Sequence, residues 1–175
     1  MKKTNMLIIV IIAIILIAVI IASWFVLSSA KSDWKAYNNT RFGIAFDYPA
    51  EWEKDDYYMG TVVTLISPDV CVLNAIIANT TENATLEKFT ADALEILGRD
   101  VAMFNLTNIS ITELNGNEAR TIFYTGAQGE LDMRWMQTWT IYDNKEYVIT
   151  YTTEEYKFQK CLPEINSIIS SVRIG

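Results

Sequence analysis

Ile109-Ser-Ile-Thr-Glu-Leu-Asn115-Gly116-Asn-Glu-Ala-Arg-Thr-Ile-Phe-Tyr-Thr125 reads as a strand, a two-residue turn and a returning strand. β-Branched and aromatic residues flank the turn, and Asn-Gly supplies the two positive-φ positions that a type I′ hairpin needs. The expected strands cover 109–114 and 119–125. Downstream, Leu131, Met133, Trp135, Trp139 and Ile141 recur at even spacing, with Gln137 between the two Trp, so they share one face of a long strand. Asp143-Asn144-Lys145 turns the chain again, and Tyr147-Val-Ile-Thr-Tyr-Thr152 is the last strand. Successive strands joined by tight turns make an antiparallel meander.

Upstream, Phe42-Gly-Ile-Ala-Phe-Asp-Tyr48 alternates and is stopped by Pro49, which cannot donate to a ladder. Thr61-Val-Val-Thr-Leu-Ile-Ser67 reads as the next strand, and Pro68-Asp69 as a turn. Residues 70–78 are apolar on both faces, which predicts a strand covered from above and below. Two helical segments interrupt the strands. Thr85 is an N-cap, followed by Leu86, Phe89, Ala93, Leu94 and Leu97 at helical spacing, with Gly98 marking the end or a weak point. Thr152-Thr-Glu-Glu155 has capping-box spacing, Pro163 suits a helix's first turn, and Ile165, Ile168, Ile169 and Val172 form one stripe. The pattern predicts an α+β domain in which an antiparallel β-sheet is sandwiched between helices.

The N-terminus has a different character. Lys2 and Lys3 precede residues 6–27, which carry no charge. At ~1.5 Å per residue this run reaches about 33 Å, enough for a hydrocarbon core of about 30 Å. The expected organisation is a short tail (1–5), one transmembrane anchor (6–27), a linker (28–32) and one domain (33–175). Ser28-Ser29-Ala30 offers small residues for cleavage, but the run exceeds the ~7–15 residues of a signal h-region, which favours an uncleaved anchor in the lipid bilayer. Basic residues flank both ends, so their count does not orient the anchor. Asn38, Asn79, Asn83, Asn105 and Asn108 open N-x-[ST] sequons, against about two expected by chance. They are candidate N-glycosylation sites, and their excess places the domain outside the cytoplasm, at the cell membrane.

Composition removes several functions. The 175 residues carry a formal charge of −7, which repels phosphate backbones and excludes the usual nucleic-acid reading. With 0 His there is no Ser-His or Cys-His catalytic unit and no His-ligated metal site. Gly-rich phosphate loops and G-x-S-x-G elbows are absent from the sequence. Ser28-Ser-Ala-Lys31 and Ser32-Asp-Trp-Lys35 match S-x-x-K, but without the S-D-N or K-T-G partners of a serine hydrolase. Cys71 and Cys161 either pair in an oxidising compartment or act as two small buried thiols.

The candidate contact surface is the stretch after Pro49. Glu51, Glu53, Asp55 and Asp56 cluster there, Lys54 offsets part of the charge, and Tyr57 and Tyr58 follow. Trp52 is expected to plug the core, and Trp34 to pack with it. Asp55, Asp56, Tyr57 and Tyr58 are the candidate contact loop, because aromatic rims beside charge suit binding. Glu51, Glu53, Asp55 and Asp56 are also weak candidates for a divalent cation such as Ca2+; no cofactor is otherwise expected.

Trp34…Tyr37-Asn-Asn39…Phe42-Gly-Ile-Ala-Phe-Asp-Tyr-Pro49…Trp52, the helix start Thr85-Leu-Glu87, Tyr147-Val-Ile-Thr-Tyr-Thr152 and Ile168-Ile-Ser-Ser-Val-Arg-Ile174 together resemble the PsbP-like (Mog1/PsbP-fold) family over nearly the whole domain. The resemblance implies an α/β/α sandwich and a non-enzymatic extracytoplasmic accessory module. Plant and cyanobacterial members of that family assist photosystem II and its ion cofactors. This chain has an apolar anchor instead of a lumen-targeting peptide and lacks the family's His residues, so a photosystem role does not carry over. The expected function is a membrane-anchored accessory or binding module that contacts an envelope protein. A cation- or small-ligand-binding surface domain is the second reading, and a hydrolase the third.

Overall fold

From the N-terminal side the chain runs β1 (Trp34–Asn39), β2 (Ile44–Pro49), β3 (Glu53–Asp55), β4 (Val63–Ile66), β5 (Val72–Asn79), α1 (Leu86–Asp100), β6 (Ala102–Leu114), β7 (Asn117–Gln128), β8 (Leu131–Tyr142), β9 (Lys145–Glu154), a 3₁₀ turn (Glu155–Lys157), α2 (Phe158–Ser170) and β10 (Arg173–Ile174). The computed structural model describes residues 33–56, 60–81 and 84–175. The expected tail, anchor and linker, together with Tyr57, Tyr58 and Asn83, lie outside the described residues. Among the described residues no helix is long and apolar enough to cross a membrane. Trp34–Gly175 forms one compact unit.

Seven strands make one sheet in the order β3-β4-β5-β9-β8-β7-β6, and β1-β2-β10 make a second, smaller one. Every pairing is antiparallel. Two tight turns set the meander's register. Asn115 and Gly116 take φ of 52° and 76° between the paired Leu114 and Asn117, and Asp143 and Asn144 take 46° and 55° between Tyr142 and Lys145. Positive φ at both central residues is the type I′ geometry that matches strand twist.

Strand alternation sorts the core into two layers. On one face, Ile122, Tyr124, Trp139 and Val148 pack with Leu86, Phe89, Leu94 and Leu97 of α1. On the other, Leu65, Leu73, Ala75, Met136, Ile149 and Tyr151 pack with Phe158, Cys161, Ile165 and Ile168 of α2, and with Ile44, Phe46 and Tyr48 of the small sheet. Helices therefore cover opposite faces, as the sequence predicts. Thr85 caps α1 by accepting from the Lys88 amide at 3.2 Å. Thr90 on α1 accepts the buried Trp139 Nε1–H at 3.0 Å, so the largest side chain of this layer is buried with its polar atom satisfied. Gly126 admits the connection from α1: a Cβ there would lie 2.5 Å from Val101 Cγ1 and 2.8 Å from the Ala102 carbonyl oxygen.

Several boundaries differ from expectation. The strand expected over 70–78 begins at Val72, because Val70 closes a turn onto Ser67 (N–H to O, 2.9 Å) with φ at 63°. It is not covered on both faces throughout: the layer under α1 takes its residues from β6 to β9 and none from β5, and Ile66, Val70, Val72, Leu131 and Met133 line an open groove of about 420 Å³ beside it. The strand expected at 109–114 starts at Ala102, its first half disguised by polar residues and by two register shifts. Helix α1 runs past Gly98 to Asp100. Thr152-Thr-Glu-Glu155 forms no capping box, because β9 continues through Glu154 and a 3₁₀ turn leads directly into α2, which has no side-chain cap. That early start puts Pro163 inside the helix rather than in its first turn. Trp34 is 39% exposed, since only Tyr37 of β1 points into the core.

Candidate contact site beside the small sheet

The stretch after Pro49 is more structured than a connecting loop. The Trp52 amide donates to the Pro49 carbonyl at 3.0 Å, and this turn drives the indole inward to 3% exposure. Its Nε1–H donates to Glu164 Oε2 on α2 at 3.1 Å. Glu53–Asp55 then forms β3, an edge strand paired with β4. Strand alternation separates the acids: Glu53 and Asp55 share one face, opposite Ile66 and Thr64, and Lys54 takes the other, opposite Leu65.

Lys54 organises what lies next to β3. Its ammonium pairs with the Asp56 carboxylate and sits 5.7 Å from the centre of the Tyr37 ring. The hydrogen-bonded Asp56 holds the Lys54 pKa above its ordinary value. The Tyr37 hydroxyl donates to the Val62 carbonyl at 3.2 Å and accepts from Asn39 Nδ2 at 3.0 Å, while Asn39 Oδ1 accepts the Phe42 amide at 3.3 Å. Tyr37, Asn39, Tyr48, Lys54, Asp56 and Thr61 line an open cleft of about 620 Å³. Residues of β1 and β2, Lys54 and Asp56 at the end of β3, and Thr61 and Val62 ahead of β4 therefore line one concave surface, with the Lys54–Asp56 ion pair beside the Tyr37 ring.

Of the candidate contact residues, Asp56 lines this cleft, and Asp55 lies on the opposite side of β3 from Lys54. Among the described residues no three or more of Asp, Glu and Cys gather as a metal-holding group; Glu51 lies in the turn before β3, Glu53 and Asp55 share one face of it, and Asp56 follows its end. Asn39, Tyr48 and Thr61 join the cleft without having been singled out from sequence. Their signal was the polar residue between two aromatic strands, visible only once β1 and β2 are paired. Cys71 and Cys161 are joined by a disulfide with a Cα–Cα distance of 6.5 Å, tying the start of β5 to α2. Asn38, Asn79, Asn105 and Asn108 are all exposed.

An antiparallel sheet with a helix on each face and a small accessory sheet is the architecture of the PsbP/Mog1-like fold. No known family profile and no curated protein sequence matches the chain. Solved structures do. The chain is similar to cyanobacterial PsbP (CyanoP) of Synechocystis sp. PCC 6803, at TM-score 0.64 and 17% identity over 83% of this chain and 95% of that one. It is similar to LpqN of Mycobacterium tuberculosis, involved in cell envelope biogenesis, at TM-score 0.61 and 13% identity over 81% and 90%. The Saccharomyces cerevisiae Ran-binding protein Mog1p matches at TM-score 0.56 and 7% identity over 82% and 96%. At such identities the likeness is one of fold.

Proposed function

We propose that this chain is a non-enzymatic binding module, held at the outer side of a cell membrane by residues 6–27, that docks an envelope protein through the cleft beside β1 and β3. The observation that carries the reading is the Lys54–Asp56 pair seated on Tyr37 in an open cleft of about 620 Å³. Such a surface offers charge, hydrogen bonds and aromatic area to a partner, and its volume lies within the range of ligand sites. Mog1p, similar in fold, is a Ran-binding protein, which supports a binding role, and LpqN is involved in cell envelope biogenesis, which supports an envelope setting.

The test uses the intact chain, recovered from its native membranes with and without Asp55→Ala, Asp56→Ala and Tyr58→Ala together. A partner that co-purifies with the wild type should be lost, with the unfolding midpoint shifted by no more than about 1 kcal/mol of stability. A partner retained by the triple variant removes Asp56 and its ion pair with Lys54 from the interface and overturns the reading they carry. Calcium titration followed by tryptophan fluorescence distinguishes the cation reading: saturable binding that the same variant abolishes would replace protein docking by cation binding.

A further inference from the structure

β6 is one edge of the seven-stranded sheet, and no strand among the described residues pairs with its outer side. Its pairing with β7 is irregular before Asn108 and continuous from Asn108 to Leu114. The turn fixes which backbone groups point outward. A type I′ turn is flanked by a hydrogen-bonded pair, here Leu114 with Asn117. Hydrogen-bonded and non-hydrogen-bonded pairs alternate along an antiparallel ladder. Ser110 and Thr112 therefore exchange bonds with β7, and the amides and carbonyls of Ile109, Ile111 and Glu113 point away from the sheet. Ile109 and Ile111 are also 44% and 73% exposed. Natural edges are blunted by Lys, Pro or inward charge. Residues 102–114 contain no Lys, Arg or Pro, and Glu113 is their one charge.

We propose that this edge pairs with β6 of a second copy of the chain, antiparallel and centred on Ile111. Outward-pointing residues must face one another, and this register satisfies every one of them: Ile111 faces its own copy, and Ile109 faces the partner's Glu113. Ile111, the most exposed isoleucine of the strand, becomes buried at the two-fold axis. The two Glu113 carboxylates fall roughly 14 Å apart at ~3.4 Å per residue, beyond a Debye length of about 10 Å, so the strand's one charge does not oppose its twin. The result is an isologous contact that continues one sheet through two copies. An edge contact of this length buries less than the ~1,000 Å² of a stable interface, so the dimer is weak and concentration-dependent.

The experiment uses the full chain in detergent micelles, carrying Ile111→Cys or Ile109→Cys, under mild oxidation and read on a non-reducing gel. Cys71 and Cys161 are already bonded to each other and do not compete. Ile111→Cys should cross-link at least tenfold faster than Ile109→Cys, whose twin lies roughly 14 Å away. Equal rates at the two positions, or no cross-link at either, overturn the proposal. Ile111→Lys sets two ammonium groups at the axis and should abolish the dimer in sedimentation without changing the unfolding midpoint. A dimer that survives Ile111→Lys belongs to another surface and also overturns it. So does a native chain that carries a glycan on Asn105 or Asn108 and stays monomeric at every concentration, because sugar then closes the edge.

Discussion

Trp52 holds the contact stretch in place from below. The indole is buried between the small sheet and α2, and its one polar atom is bonded to Glu164. Trp52→Ala should therefore cost ~3–5 kcal/mol, the range for removing a large buried aromatic. Trp52→Phe keeps most of the area and loses the hydrogen bond, a cost of about 1 kcal/mol for the bond itself. Denaturant titration of both variants checks the order; an unaltered midpoint in Trp52→Ala would mean that the side chain does not fill this core. The Tyr124 and Trp135 rings, stacked with centroids 5.0 Å apart and 9° between planes, show the same logic across neighbouring strands.

Elements were legible where periodicity and turn chemistry agreed. Asn115-Gly116 and Asp143-Asn144 announce their hairpins, and the Trp139 face announces the layer under α1. Legibility failed where tertiary contacts override local signals. The first half of β6 carries Asn105, Thr107 and Asn108, residues that read as a loop, yet β7 pairs with it and Thr107 donates to the Phe123 carbonyl at 2.9 Å. β3 is three residues long and exists only because β4 lies beside it. The cleft was half legible: the acids and aromatics after Pro49 were visible, but the Asn39–Tyr37–Val62 chain of hydrogen bonds depends on a pairing that sequence does not display. Helix α2 depends on remote contacts as well. It lacks a side-chain cap and carries Pro163, so the disulfide to Cys71 and the 2.6 Å Lys160–Asp69 pair hold its first turns against β5 and the preceding turn. Replacing both cysteines by Ala should lower stability by about 2–5 kcal/mol, the usual cost of losing a native disulfide that closes a long loop. Thermal unfolding of the double variant with its wild type checks this; equal midpoints would leave α2 held by packing alone.

At the scale of the molecule, Trp34–Gly175 contains a complete two-layer core. A chain starting at residue 32 should be soluble and should unfold in one cooperative transition. Aggregation without any transition would show that the apolar N-terminal run contributes to the core. The sheet order also dictates how such a chain assembles. β6 to β9 are neighbours in sequence and in space, each joined to the next by a tight turn, so their pairing closes only short loops. β5 is different: it must find β9, setting Val72 beside Thr152 across the whole meander and α1. Short closures are entropically cheap and fast, and distant ones are slow. The four-strand meander is therefore the natural nucleus, and the β5–β9 seam is the late event that commits the first third of the chain. Substitutions along β7 and β8 should slow the arrival at the native state, whereas those along β4 and β5 should mainly hasten its loss.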